Sequence, residues 1–132
     1  MATITTTIMI SGTAVTSDPI AVNYTMSPTV GAPAIESASI DVTPTGVQIL
    51  DTTGGADVTY LYIKNIGAVG QSYISIQFDC GSGAEGAMVA TDYLRLELGQ
   101  FLFVPLKRDQ KCTLDVPAGT TGTAEYGYFA AV

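Results

Sequence analysis

The chain of 132 residues contains no histidine and no tryptophan. Without histidine there is no Ser-His-Asp or Cys-His catalysis, and the usual zinc sites go too. Two cysteines, Cys80 and Cys112, cannot close a zinc tetrahedron, and they lack the C-x-x-C spacing of a redox pair. Positive charge is also scarce. Lys64, Arg95, Lys107, Arg108 and Lys111 are the whole supply, against a net charge of −7. Nucleic-acid binding needs several cations to displace counterions from phosphates, so it is not expected. The first ten residues carry neither a basic region nor a long apolar run, so no signal peptide is expected. No stretch approaches the roughly 18 to 20 apolar residues of a helical membrane span. Assembly in a cytoplasm is expected, with both cysteines reduced by default.

What is present is a succession of short alternating runs: Tyr60–Lys64, Tyr73–Phe78, Tyr93–Leu98, Phe101–Val104 and Cys112–Val116. A period of two puts one face of each run on a core and the other in water. Strands are expected near 3–10, 20–26, 35–42, 46–51, 58–65, 72–79, 87–90, 93–98, 100–106, 111–116 and 122–130. Strands at this spacing predict an all-β chain: a single-domain antiparallel β-sandwich, jelly-roll-like, with an extended N-terminal segment. Leu61, Ile63, Ile74, Ile76, Phe78, Leu94, Leu96, Leu98, Leu114 and Val116 are expected inside. Lys64, Ser75, Gln77, Arg95, Glu97, Thr113 and Asp115 are expected outside.

Residues 1–45 differ in composition from the sandwich core expected over 46–132. They hold four of the six prolines and are dense in Ser and Thr. The stretch Met26–Ala34 reads as a loop unable to sustain a ladder. The N-terminal segment reads either as edge strands on the sandwich or as an arm that docks on a neighbour.

Several near-motifs fail on context. Gly81-Ser-Gly-Ala-Glu-Gly86 matches G-x-G-x-x-G, but no helix can open before the next strand, and Glu85 would oppose a phosphate. Asp51-Thr-Thr-Gly54 has one threonine too many for an aspartic-protease loop. With Asp57 it lacks the oxygen density of a calcium site. Asp79, Glu85, Asp92, Glu97 and Asp115 are read as solvated faces and turns and not as paired glycosidase carboxylates, since no tryptophan offers a sugar platform and the chain is short for a cleft. No catalytic residue, metal or cofactor is expected, and the chain is read as a non-enzyme. With only 13% of residues charged, against about 25% in ordinary soluble domains, the surface points to contact with other protein. Tyrosine is enriched in such contacts. The candidate contact residues are Ile4, Ile8, Ile10, Tyr24, Tyr60, Tyr62, Lys107, Arg108, Lys111, Tyr126 and Tyr128. For the tyrosines, cover within the protein itself is the competing reading.

Three elements occur together: Tyr60-Leu-Tyr-Ile-Lys-Asn-Ile-Gly67, then Leu96-Glu-Leu-Gly-Gln-Phe-Leu-Phe-Val-Pro-Leu106, then a last strand ending near Val132. Over residues 46–132 this series resembles small β-sandwich virion structural proteins of tailed bacteriophages. The resemblance implies a capsid cement or decoration protein located in the virion. Its partner would be the major capsid protein of the same virion. It would form a homo-oligomer, a trimer by preference, and bind neither nucleic acid nor membrane. A tail, neck or head-fibre component is the alternative within the virion. A carbohydrate-binding sandwich is the alternative of another class.

Overall fold

The computed structural model describes residues 2–12, 20–30, 36–52, 58–80 and 94–131. Among these there is no helix. Twelve strands occur: β1 (Ala2–Thr3), β2 (Thr6–Gly12), β3 (Ile20–Met26), β4 (Thr29–Val30), β5 (Glu36–Val42), β6 (Val47–Asp51), β7 (Val58–Asn65), β8 (Ile74–Cys80), β9 (Leu94–Leu96), β10 (Phe101–Lys107), β11 (Gln110–Asp115) and β12 (Gly122–Ala130).

The last eight form two four-stranded antiparallel sheets, ordered β10-β7-β12-β5 and β6-β11-β8-β9. Numbered within the eight, the orders are 6-3-8-1 and 2-7-4-5. That interleaving is the jelly roll, and the expected β-sandwich is what the chain forms. β7 shows why alternation was informative. Its burial alternates strictly, with Thr59, Leu61, Ile63 and Asn65 buried between half-exposed neighbours. Leu61, Ile63, Ile74, Ile76 and Leu114 are completely buried side chains from the two facing sheets. Val42, Leu50, Leu106, Val116 and Ala124 close the core around them.

β5 belongs to the sandwich. It pairs along its whole length with β12, from Gly122↔Val42 to Tyr128↔Glu36, and Val42 is fully buried. The sandwich therefore begins ahead of residue 46, at Glu36. Two residues expected inside are partly in solvent: Leu94 is 49% exposed and Leu98 39%. Leu94 starts a three-residue edge strand, and Leu98 sits in the turn after it. Ser75, expected outside, is buried. Its cross-strand partner is Arg95, whose guanidinium lies 3.6 Å over the Tyr73 ring on the same face. The expected strand at 87–90 lies outside the described residues.

The N-terminal segment forms a separate element. β2 pairs with β3 and β1 with β4, and both ladders keep one register, Thr6↔Met26 continuing to Thr3↔Thr29. They make one two-stranded ribbon, Ala2–Gly12 against Ile20–Val30. The stretch expected to form no ladder thus carries its base. The ladder breaks only around Pro28, which has no N–H to give. Its carbonyl still accepts from the Ile4 amide at 3.2 Å. The base is anchored by Val30, which is completely buried and bridges to Ala131 just past β12.

Candidate functional site: two apolar surfaces

In a two-stranded ladder, residues directly opposite share a face. The register therefore sorts the ribbon into two chemically different sides. Thr3, Thr5, Thr7 and Ser11 lie opposite Thr29, Ser27, Thr25 and Ala21. On this side the hydroxyls of Thr7 and Thr25 hydrogen-bond across the strands at 3.1 Å, and those of Thr5 and Ser27 at 3.3 Å. Met9, opposite Asn23, is the one large apolar side chain here. The other side carries Ile4, Thr6, Ile8 and Ile10 with Pro28, Met26, Tyr24 and Val22, so Thr6 is its one polar side chain between Ile4 and Ile10. Ile8, Ile10, Val22 and Tyr24 are each 44–59% exposed. No Lys, Arg, Asp or Glu occurs in residues 2–12 or 20–30. The sequence candidates Ile4, Ile8, Ile10 and Tyr24 thus come together on one uncharged apolar face.

A second apolar surface lies on the outer face of the β10-β7-β12-β5 sheet. Tyr60 and Tyr62 point away from the core, opposite Leu61 and Ile63. Tyr60 pairs with Pro105 on one side and Phe129 on the other, and Tyr62 with Phe103 and Gly127. The Tyr60 and Phe103 rings stack at 5.8 Å between centroids and 7° between planes. Tyr62 meets Phe101 at 6.4 Å and a 38° tilt. Phe101 is 63% exposed. Gly127, opposite Tyr62, is buried within this aromatic layer. The Lys64–Glu125 pair of register positions borders it. Partial burial, then the charge of Glu125 and a hydrogen bond to its carboxylate, raise the Tyr62 phenol above its ordinary 10.0.

The other candidate residues are elsewhere. Tyr126 and Tyr128 face inward, opposite Ile63 and Leu61, and pack half-buried against the core. They cover the protein's own interior because Ala124, Tyr126 and Tyr128 share the inward phase of β12. Lys107 and Arg108 are exposed at the β10–β11 turn, where Asp109 adopts φ 63°. Lys111 pairs with Asp51 at 3.5 Å. The turn is held by Thr52, which is buried. Its hydroxyl accepts from the Gln110 amide at 2.7 Å and lies 3.2 Å from the Lys107 carbonyl. Thus Asp51 and Thr52, weighed as part of a catalytic or calcium loop, serve as struts between strands. The remainder of that loop, 53–57, and the glycine-rich 81–86 lie outside the described residues. Among the described residues no three His, Cys, Asp or Glu side chains converge. Cys112 is a free thiol, fully buried, and burial pushes its pKa up to about 12. The side chain of Cys80 lies outside the described residues.

Sequence reasoning passed over Phe101, Phe103 and Phe129 as surface residues. The signal was there in Phe101-Leu-Phe-Val-Pro-Leu106, but every position of that run is apolar, so its phase is not readable. The motif that carries the phage resemblance has a structural job. Asn65 is completely buried. Its side-chain amide donates to the Leu96 carbonyl at 3.0 Å and to Ser72 at 3.3 Å, and its oxygen accepts from the Gly67 amide at 3.0 Å. A Cβ on Gly67 would fall 2.6 Å from Gln71 Oε1 and 3.0 Å from Leu98 Cδ2. Lys-Asn-Ile-Gly is therefore a clasp between strands.

No protein-family model matches the chain, and no curated protein does. A solved chain from Bacillus endospore appendages, described as forming a novel family of disulfide-linked pili, is similar to it. The identity is 19%, over 74% of this chain and 87% of that one, with a TM-score of 0.48. That neighbour is an appendage protein, not a phage capsid protein. At this identity and score the likeness carries no functional weight. No helix among the described residues is long and apolar enough to cross a membrane.

Proposed function

We propose that this chain is a structural, non-enzymatic subunit that works by protein–protein contact, with the N-terminal ribbon as its docking arm. One observation carries this: an uncharged two-stranded ribbon presents an apolar face that its own sandwich leaves exposed. Isolated two-stranded hairpins are marginal in water, so such a face gains its stability from a partner. The low overall charge supports the same reading. The finer form is a cement or decoration protein of a tailed-phage virion that bridges major capsid proteins, as the trimer that the resemblance implies. That form rests on residues 46–132 alone.

The test is analytical ultracentrifugation of the intact chain and of a ribbon variant with Ile8, Ile10, Val22 and Tyr24 each changed to Thr. Threonine keeps the strand propensity and removes the apolar face. The intact chain is expected to assemble, alone or on purified capsids, and the variant is expected to fail at both while its sandwich melts normally. An intact chain that stays monomeric at high concentration and binds no capsid would sink the proposal.

A second reading, of another class, rests on the stacked Tyr60 and Phe103. It makes the outer sheet face a carbohydrate platform. A glycan-array signal abolished by Tyr60→Ala would support it, and a blank array would end it.

A further inference from the structure

Resting on the assembly reading, we infer that the ribbon's apolar face packs on the outer aromatic face of the β10-β7-β12-β5 sheet of a second copy. The occupant of each surface is thus the other surface of a neighbouring chain.

Both surfaces are antiparallel, and no described strand of the chain packs on either. Sheets stack face to face at about 10 Å when their inner sides are apolar. The lengths match: the seven residues of β2 span about 23 Å and the eight of β7 about 26 Å, at roughly 3.3 Å per residue. The chemistry matches as well. The ribbon has no charge with which to recognise an acidic or basic partner. The aromatic layer keeps Lys64 and Glu125 together at its border, so its centre is also uncharged. Tyr60, Tyr62, Phe101 and Phe103 offer broad ring surfaces.

The geometry excludes the ribbon's own sheet as the acceptor in this state. The ribbon is fixed at the Val30–Ala131 bridge, and Ile8, Ile10, Val22 and Tyr24 remain exposed beyond it. The two surfaces are different patches, so the contact is head-to-tail. Such contacts close into rings or run on as filaments. A two-stranded ribbon about 10 Å wide and 23 Å long covers a footprint of roughly 230 Å², well under the ~800 Å² that each partner gives in a stable complex. A single docking is therefore weak. Where the copies close into a ring, the closing contact is intramolecular and gains through effective concentration.

Two variants separate donor from acceptor. The donor-dead variant changes Ile8, Ile10, Val22 and Tyr24 to Thr. The acceptor-dead variant changes Phe101 and Phe103 to Thr. Each alone is expected to self-associate at least tenfold more weakly than the intact chain. Mixed at the high concentration that one weak docking requires, they are expected to form a pair and stop there, since one supplies an intact face and the other an intact ribbon. Circular dichroism and a thermal melt confirm that each variant keeps its sandwich. If the intact chain assembles but the mixture makes no pair, this inference is overturned and the assembly reading survives. If the intact chain never self-associates and its ribbon instead binds vesicles of phosphatidylcholine and phosphatidylglycerol, or purified capsids, the self-docking inference is overturned as well. Capsid binding would leave the broader reading in place.

Discussion

At the scale of single residues, two buried polar groups, Thr52 and Asn65, hold strand ends of the sandwich, and one buried thiol reports on it. Asn65 spends every side-chain hydrogen-bonding group it has on backbone partners in the surrounding strand ends and loop. Asn65→Ala removes three bonds and leaves buried carbonyls unsatisfied. The expected loss is roughly 2–4 kcal/mol by urea unfolding. A change under about 1 kcal/mol would mean that water replaces the side chain. Cys112 should resist alkylation by iodoacetamide at pH 8 in the folded protein and react on unfolding. Its folded pKa of about 12 lies above the ordinary 9.0, so the folded state keeps a proton that the unfolded chain gives up. Stability from this group is therefore complete below pH 9 and declines as pH rises from 9 towards 12, by at most about 1.4 kcal/mol per unit. Cys112→Ala is expected to flatten that alkaline decline. An unchanged slope between the two proteins would assign the decline to other groups.

At the scale of elements, how much was legible in the sequence depended on whether one face differed from the other. Val58–Asn65 alternates strictly between buried and half-exposed residues, and its bounds and facing were readable. Gly122–Ala130 has tyrosine or phenylalanine on both faces, so its length was readable and its phase was not. That is why Tyr126 and Tyr128 proved inward-facing while Phe129 joined the outer layer. The ribbon was harder. Its strands showed as β-branched runs, but their shared register through Pro28 depends on pairing across the sequence, which no local pattern reveals. The apolar face of the ribbon follows from that register alone. A consequence for hydrogen exchange follows. Amides of β2 and β3 should exchange far faster than those of β7 and β12 in the monomer, because only a two-stranded ladder protects them. They should slow on assembly. Equal protection in the dilute monomer would show that the ribbon is stable without a partner.

At the scale of the whole molecule, the protein is a closed core with an appended arm. The eight-stranded sandwich has its core side chains from both sheets and needs no partner to bury them. Among the described residues, the arm contributes one buried side chain to that body, Val30. Stability and association should accordingly separate. Replacing the four exposed ribbon residues should leave the sandwich's thermal midpoint within a few degrees at low concentration. For the intact chain the midpoint should rise with protein concentration, because assembly stabilises by mass action. A midpoint independent of concentration would deny a role for assembly in holding the native state.

The missing rung at Pro28 has a mechanical meaning. It separates the anchored base of the ribbon from its outer length, with the Ile4 amide to Pro28 carbonyl bond and the Thr5–Ser27 hydroxyl bond spanning the break. Bending costs least where a ladder is interrupted, so the angle between body and arm is set there. In a chain of subunits joined through that arm, the same joint would set the curvature of the whole structure. Changing Pro28 would then alter the pitch or diameter of what is built, and leave the strength of each contact as it was.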